Sequence, residues 1–202
     1  MKRCFFVSCI LASIIFLCSF ISPDTLNEEY RPGYYFDSSG KVEGYISFSY
    51  DSYEKFNFKK NLEDKKMTKR VTECSGFSVD GKNFCVIENV EMKIGIWKVT
   101  AERAFAEIAV QGRLTLYKVY SMVGRSNMVG GMRTYGADQV VNCFLERDNS
   151  KQYTWVPLGK GKFKDEMMDF FKDRIDIAEK IDDGTYSLKN ITDIINDYNS
   201  KL

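Results

Sequence analysis

Acidic side chains are the residues of this sequence that could carry out hydrolytic chemistry, because the chain contains no histidine. Without histidine, Ser-His-Asp and Cys-His catalysis and histidine-ligated zinc are excluded. Two carboxylates can still act together on a glycosidic bond. The close pairs in the sequence are Glu28/Glu29, Asp165/Glu166, Asp173/Asp176 and Asp182/Asp183. The last three pairs fall on the exposed sides or ends of predicted helices, which favours solvated helix surfaces over an active site.

A glycine- and methionine-containing segment, residues 124–136, is the second candidate site. A phosphate-binding loop needs a helix after it, whereas a strand is predicted here, and no Gly-Lys-Ser/Thr is present. The segment is therefore predicted to be a mobile loop between strands. Adaptable thioethers beside cations and an aromatic ring suit a contact surface for a partner. The candidate binding residues are Arg125, Met128, Met132, Arg133 and Tyr135. Two methionines are too few to argue a soft-metal site, and no metal or cofactor is predicted.

Cysteine spacing predicts buried thiols and not a zinc site, because no CxxC pair occurs. Three of the six cysteines lie within the first 22 residues, and the others are Cys74, Cys85 and Cys143. An odd number cannot all pair within one chain. If residues 80–81 form a two-residue hairpin turn, Cys74 is diagonal to Cys85 and too far away for an unstrained disulfide. Burial as small apolar side chains is the favoured interpretation.

The N-terminus has the pattern of an export signal. Lys2 and Arg3 precede an apolar stretch, residues 4–21, that carries no charge. This order is typical of a secretory signal, and Leu17 and Ser19 suit the positions before a cleavage site. Two alternatives remain: an uncleaved membrane anchor, because the stretch approaches the length that spans a bilayer, and a lipoprotein. The sequence thus predicts a signal peptide or anchor at residues 1–22. The protein is expected to be periplasmic, associated with the outer membrane or extracellular, with membrane contact only through an uncleaved N-terminus.

The charge balance argues against a nucleic-acid partner. The chain has 202 residues, with 29 Lys+Arg against 28 Asp+Glu, which gives a net charge of +1. Nucleic-acid binding needs a concentrated basic surface to displace phosphate counterions. Apolar residues make up 44% of the chain, which is ordinary for a globular protein.

Residues 23–160 have the pattern of a β-rich domain. Aromatic and β-branched residues flank turn signals at 37–40, 80–81 and 111–112, and each is predicted to form a hairpin. At the third turn, a two-residue loop would place Ala109 opposite Leu114 and Glu107 opposite Leu116. A last hairpin is predicted to join residues 140–145 to residues 153–158.

Residues 161–202 change to a helical period. Apolar residues recur at three- and four-residue steps from Phe163 to Ile181, which predicts one helix that Gly184 ends. Ser187 is predicted to cap a second helix. The fold class is therefore α+β: an antiparallel β-rich domain of hairpins, as a sandwich or partly open barrel, followed by two C-terminal amphipathic helices packed on it.

The chain resembles a family of uncharacterised exported proteins of the Bacteroidetes bacteria. The resemblance lies in Gly33-Tyr34-Tyr35 with Gly44-Tyr45-Ile46, the Gly112 hairpin leading into Leu116-Tyr117, the loop at 124–136, and the ending Ile194-Ile195-Asn196-Asp197-Tyr198-Asn199. It implies a cell-envelope address and a β-domain with a helical end. It supplies no functional residues, because fold-level likeness alone does not define a site.

These observations favour an exported cell-envelope protein of unknown molecular function that acts as a non-catalytic binding or structural module. Its partner is expected to be an envelope protein or ligand. The alternatives are a carboxylate-dependent enzyme acting on envelope glycan and a membrane-tethered structural protein held by residues 4–21.

Overall fold

The structure is a computed structural model that describes residues 28–129 and 132–200, with the side chains of residues 127–134 outside the description. The predicted signal peptide or anchor, residues 1–22, lies outside the described residues. The strands are β1 (Arg31–Asp37), β2 (Gly40–Ser47), β3 (Lys55–Lys59), β4 (Met67–Arg70), β5 (Gly76–Val79), β6 (Lys82–Ile94), β7 (Trp97–Val110), β8 (Leu114–Val129), β9 (Met132–Arg147) and β10 (Tyr153–Trp155). The helices are α1 (Lys160–Phe170), α2 (Ile175–Asp182), a 3-10 turn (Leu188–Asn190) and α3 (Ile191–Ser200).

The ten strands form one open antiparallel sheet in the order β10-β9-β8-β7-β6-β5-β1-β2-β3-β4. Two meanders make up this sheet, because β1 to β4 follow one another and β5 to β10 follow one another. The chain crosses back after β4, so that β5 pairs with β1 and joins the two halves. With helices after a β-rich domain, the predicted α+β class is confirmed.

The Asp-Gly hairpin forms in the predicted register. Val79 pairs with Lys82 and Phe77 with Phe84 across β5 and β6. Asp80 and Gly81 both have positive φ, at 55° and 72°, as a type I′ turn requires. Turn chemistry and strand alternation agree here, so the local sequence determines the pairing.

The register between β7 and β8 differs from the prediction. Glu107 was expected opposite Leu116, whereas the structure pairs it with Lys118. The ladder shifts between Ile108 and Val110, which is a β-bulge, and the prediction of a two-residue turn was wrong.

Asn199 of α3 explains the wider loop before β8. Its Nδ2 donates to the Leu114 carbonyl at 2.9 Å, and its Oδ1 accepts from the Leu114 N–H at 3.0 Å. A Cβ placed on Gly112 would lie 2.4 Å from Nδ2, so a larger residue here would displace this amide. The loop therefore takes its shape from a side chain at the far end of the chain.

The predicted helix from Phe163 to Ile181 is two helices. α1 ends at Phe170, where Arg147 of β9 donates to the Phe170 carbonyl at 3.0 Å and also pairs with Asp173. An orphan carbonyl at the helix end is thus satisfied by a cation from the sheet, and the chain turns before α2 begins.

The end of α2 follows the prediction, whereas the start of the last helix does not. Gly184 has a φ of 83° just after α2, as expected for a left-handed position at the end of a helix. The prediction that Ser187 caps the second helix was wrong: Ser187 precedes the 3-10 turn and not α3 itself, and its Oγ donates to the Asn190 side chain at 2.9 Å and forms no cap with a main-chain N–H.

Three apolar clusters hold the fold together. The helices cover one face of β8 and β9, and aromatic side chains fill the space around β1, β3 and β5. The third cluster lies where the outer half of the β6–β7 hairpin packs over β8, β9 and β10, so the sheet curls into a partly open arrangement. Buried Asn142 of β9 holds this curl, because its side-chain amide forms hydrogen bonds of 2.9 and 3.0 Å with the main chain of Lys93 in β6.

Candidate functional site

The segment at residues 124–136, expected to be a loop, is a continuation of two strands. The β8–β9 ladder runs without a register shift from Leu114 opposite Arg147 to Val129 opposite Met132. The outer part of this hairpin, residues 121–129 and 132–140, is called the ribbon below. The prediction of an inter-strand loop was wrong, because two strands exposed on both sides show no alternation of apolar and polar residues.

The five predicted binding residues all lie on the ribbon. Arg125 is exposed on β8 and forms an ion pair of 3.2 Å with Asp138 of β9. The Tyr135 side chain on β9 is 78% exposed. The register places Met128 opposite Arg133 and Met132 opposite Val129, and the side chains of Met128, Met132 and Arg133 lie outside the description.

Both outer edges of the ribbon lack a neighbouring strand within the described residues. β7 pairs with β8 only as far as Lys118, and β10 pairs with β9 only between Phe144 and Glu146. Beyond these positions, β8 and β9 pair only with each other. Unpaired strand edges present a row of main-chain N–H and C=O groups that another strand can bind.

The two edges of the whole sheet are constructed differently from the edges of the ribbon. β10 has three residues, and β4 has four, including Lys69 and Arg70. Short strands and cations are common protections against edge-to-edge pairing. The ribbon strands are long, contain no proline and show no bulge, and Arg125 and Arg133 are the cations that they carry.

An exposed apolar tip lies beside the base of the ribbon. Ile96 and Trp97, at the turn between β6 and β7, are 83% and 71% exposed. Gly95 begins this turn with a φ of 63°, and a Cβ built on it would lie 3.2 Å from Cγ1 of Val123 in β8. The tip therefore contacts β8 at the ribbon. This turn was not predicted, although a glycine between Ile94 and Ile96 in a β-rich stretch is a hairpin signal.

Two buried carboxylates already have partners. Glu107 accepts a hydrogen bond of 2.6 Å from the Tyr120 hydroxyl and pairs with Lys82 at 3.0 Å. Glu146 accepts a hydrogen bond of 2.6 Å from the Tyr117 hydroxyl. Burial, and then these hydrogen bonds, raise the pKa of both tyrosines well above its ordinary value. Such pairs crosslink neighbouring strands and satisfy buried polar atoms.

The three thiols have the properties expected of packing residues. Cys74 and Cys143 are buried, Cys85 is partly buried, and all three are free. Burial raises the pKa of each thiol to about 11, so the reactive thiolate is scarce at neutral pH.

An open groove of about 730 Å³ lies between the 51–55 loop, residues 70–72 and the strand segment 100–103. Asp51, Glu54 and Glu102 line it, and all three are exposed. Its other charged residues are Lys55, Arg70 and Arg103. In the part of the chain that the structure describes, no group of three His, Cys, Asp or Glu residues is arranged to hold a metal ion. Over the same residues, no helix has the length and apolar character to span a bilayer.

Comparison of the chain with protein-family models, with curated proteins and with solved structures gives no match.

Proposed function

We propose that the chain is an exported cell-envelope protein that acts as a non-catalytic binding module, with the ribbon and the apolar tip as its binding surface. The charged start and the uncharged stretch at residues 2–21 support export to the cell envelope. The resemblance to exported Bacteroidetes proteins agrees with it. The binding role rests on the geometry of the two hairpins.

The observation that carries the proposal is the ribbon with two free edges. An isolated two-stranded hairpin is marginally stable in water, and a third strand adds main-chain hydrogen bonds on either side. Binding of an extended segment to an exposed strand edge is a recurring mode of protein recognition. The ribbon offers nine residues of edge on each strand, residues 121–129 and 132–140.

The apolar tip adds side-chain affinity to this main-chain interaction. Tryptophan and tyrosine are enriched among the residues that dominate binding energy in interfaces. Trp97 and Tyr135 are the large aromatic side chains exposed near the ribbon. A partner strand on the β8 edge would lie next to the tip, because Gly95 approaches Val123 of that strand.

Site-specific photocrosslinking in the full chain tests the proposal. A photoreactive phenylalanine at Tyr135 or Trp97 is expected to capture a protein in cell-envelope fractions. The same probe at Ile175 on α2, which is 69% exposed, is the matched control and is expected to capture none. Equal capture at all three positions, or none at Tyr135 and Trp97, would contradict a binding surface at the ribbon.

The open groove supports a second candidate, an enzyme that hydrolyses envelope glycan. Glu54, in the loop before β3, and Glu102, on β7, both line this groove. Hydrolysis would need two carboxyl groups about 5–10 Å apart. If the purified chain cleaves peptidoglycan, Glu54→Gln or Glu102→Gln should reduce the rate at least about a hundredfold, whereas Glu91→Gln outside the groove should not.

A further inference from the structure

We infer that the strand partner of the ribbon is a second copy of this chain, which pairs edge to edge with the first about a two-fold axis. The inference rests on the proposed function and names the partner. Two ribbons would then join their sheets into one sheet that continues through the dimer. A two-fold contact uses the same surface on both copies, so the ribbon must be complementary to itself.

Preorganisation favours a second ribbon over an unstructured peptide. The ladder from Ser121 to Val129 is regular, and so is its partner segment from Met132 to Val140. A preformed strand loses little conformational entropy on pairing, whereas a flexible peptide must be ordered as it binds. Another copy supplies an edge of equal length and twist that is already extended.

The length of the edge is sufficient for a specific contact. Nine residues of a β-strand extend about 30 Å. Antiparallel pairing along this length forms about nine main-chain hydrogen bonds. A typical protein interface contains about ten direct hydrogen bonds, so one pair of edges supplies a normal number. Tyr135 and the partly exposed Met122 add apolar area beside these bonds.

The charges of the ribbon also suit a second copy. Its strands contain Arg125, Arg133 and Asp138, and the net charge of the whole chain is +1. Approach of two copies is therefore opposed by almost no long-range repulsion. Within each ribbon Arg125 and Asp138 already form an ion pair of 3.2 Å, which leaves little charge there for a partner to match. A strongly acidic or strongly basic partner would find no matching excess on this surface.

Co-isolation of two differently tagged full-length chains from the same cells tests the inference. Both chains are expected to be recovered with either tag. In the first variant, Asn-Gly replaces residues 125–136 and closes the hairpin on the Gly124–Ala137 pair with a two-residue turn. It should reduce recovery of the second chain by about tenfold or more, which corresponds to about 1.4 kcal/mol of association free energy. The point variant Tyr135→Ser, which leaves the backbone unchanged, should reduce recovery less, and Ile175→Ser should not reduce it.

Photocrosslinking at Tyr135 distinguishes the two proposals. A product of twice the mass of the chain that contains both tags supports the inference. A product with a different protein, without co-isolation of the two tagged chains, overturns the dimer and leaves the ribbon as a binding surface. If neither product forms, both proposals are overturned. Co-isolation that survives both ribbon variants would place the dimer contact elsewhere and also overturn the inference.

Discussion

Buried polar side chains in this protein act as crosslinks between segments far apart in sequence. Asn142 is fully buried and binds the main chain of Lys93 with both ends of its amide. Asn199, which is only partly buried, binds the main chain of Leu114 in the same way. A buried amide with all its partners fixes one arrangement of strands, since any other arrangement leaves donors or acceptors unpaired.

At the residue scale, we expect Asp173 to contribute to a decrease in the free energy of unfolding at acid pH. Burial alone would raise its pKa, but hydrogen bonds from Arg147 and Tyr198 outweigh burial and hold it below the usual 3.8. A carboxyl with a lowered pKa in the folded state stabilises the protein above its unfolded pKa. This contribution is lost as the pH falls through the folded pKa. Asp173→Asn should therefore be destabilising at pH 6 and flatten the decline of stability between about pH 5 and pH 2.

Urea unfolding of both proteins across this pH range measures the effect. Asp169→Asn, at an exposed aspartate near the end of α1, is the matched control and should leave the pH profile almost unchanged. Parallel profiles for wild type and Asp173→Asn would show that the interaction with Arg147 contributes little in solution.

At the element scale, the segments with local determinants were the predictable ones. The hairpin at Asp80-Gly81 followed from two residues that adopt positive φ and from flanking strands with clear alternation. The β7–β8 register did not follow, because Asn199 reshapes the loop from 85 positions away from Leu114. The break between α1 and α2 has a similar origin, since Arg147 of β9 caps Phe170. Interactions between distant segments are not visible in a local pattern.

Removal of the Asn199 amide should loosen the contact between α3 and the sheet. Asn199→Ala leaves the Leu114 N–H and C=O without these side-chain partners, and Leu114 is fully buried. We expect a loss of about 1–3 kcal/mol in the free energy of unfolding. Denaturant unfolding measures this loss, and hydrogen exchange should show faster exchange of the Leu114 amide.

Asn196→Ala, on the exposed side of the same helix, is the control for helix propensity and should be nearly neutral. If the two variants were equally stable, the hydrogen bonds between the Asn199 amide and Leu114 would not contribute to folding. A stability loss without faster exchange at Leu114 would assign the effect to another contact.

At the scale of the whole molecule, the fold class was predictable and the proposed binding surface only in part. Composition and periodicity gave the β-rich body and the helical end. The residues of the ribbon were singled out by their chemistry, but glycines and two exposed faces concealed that they form strands. Trp97 was missed because no turn was predicted at Gly95, and the turn there exposes it.

The ribbon should be separable from the stability of the domain. None of its described side chains is a buried member of the three apolar clusters. Val141, the residue just after the ribbon, packs against two of these clusters. Replacement of residues 125–136 by Asn-Gly should therefore change the free energy of unfolding by less than about 1 kcal/mol. Thermal unfolding at low protein concentration checks this, and a much larger loss would make the ribbon part of the folding unit.

The crossing of the chain from β4 to β5 has a consequence for folding during synthesis. β1 is the first strand of the described chain, yet it lies in the middle of the sheet between β2 and β5. A nascent chain that ends before Gly76 can complete β1 to β4 but leaves the second edge of β1 without its partner. Half-built sheets with bare edges are prone to aggregate. The free edge of β1 must therefore be kept from pairing with other chains until β5 has been synthesised.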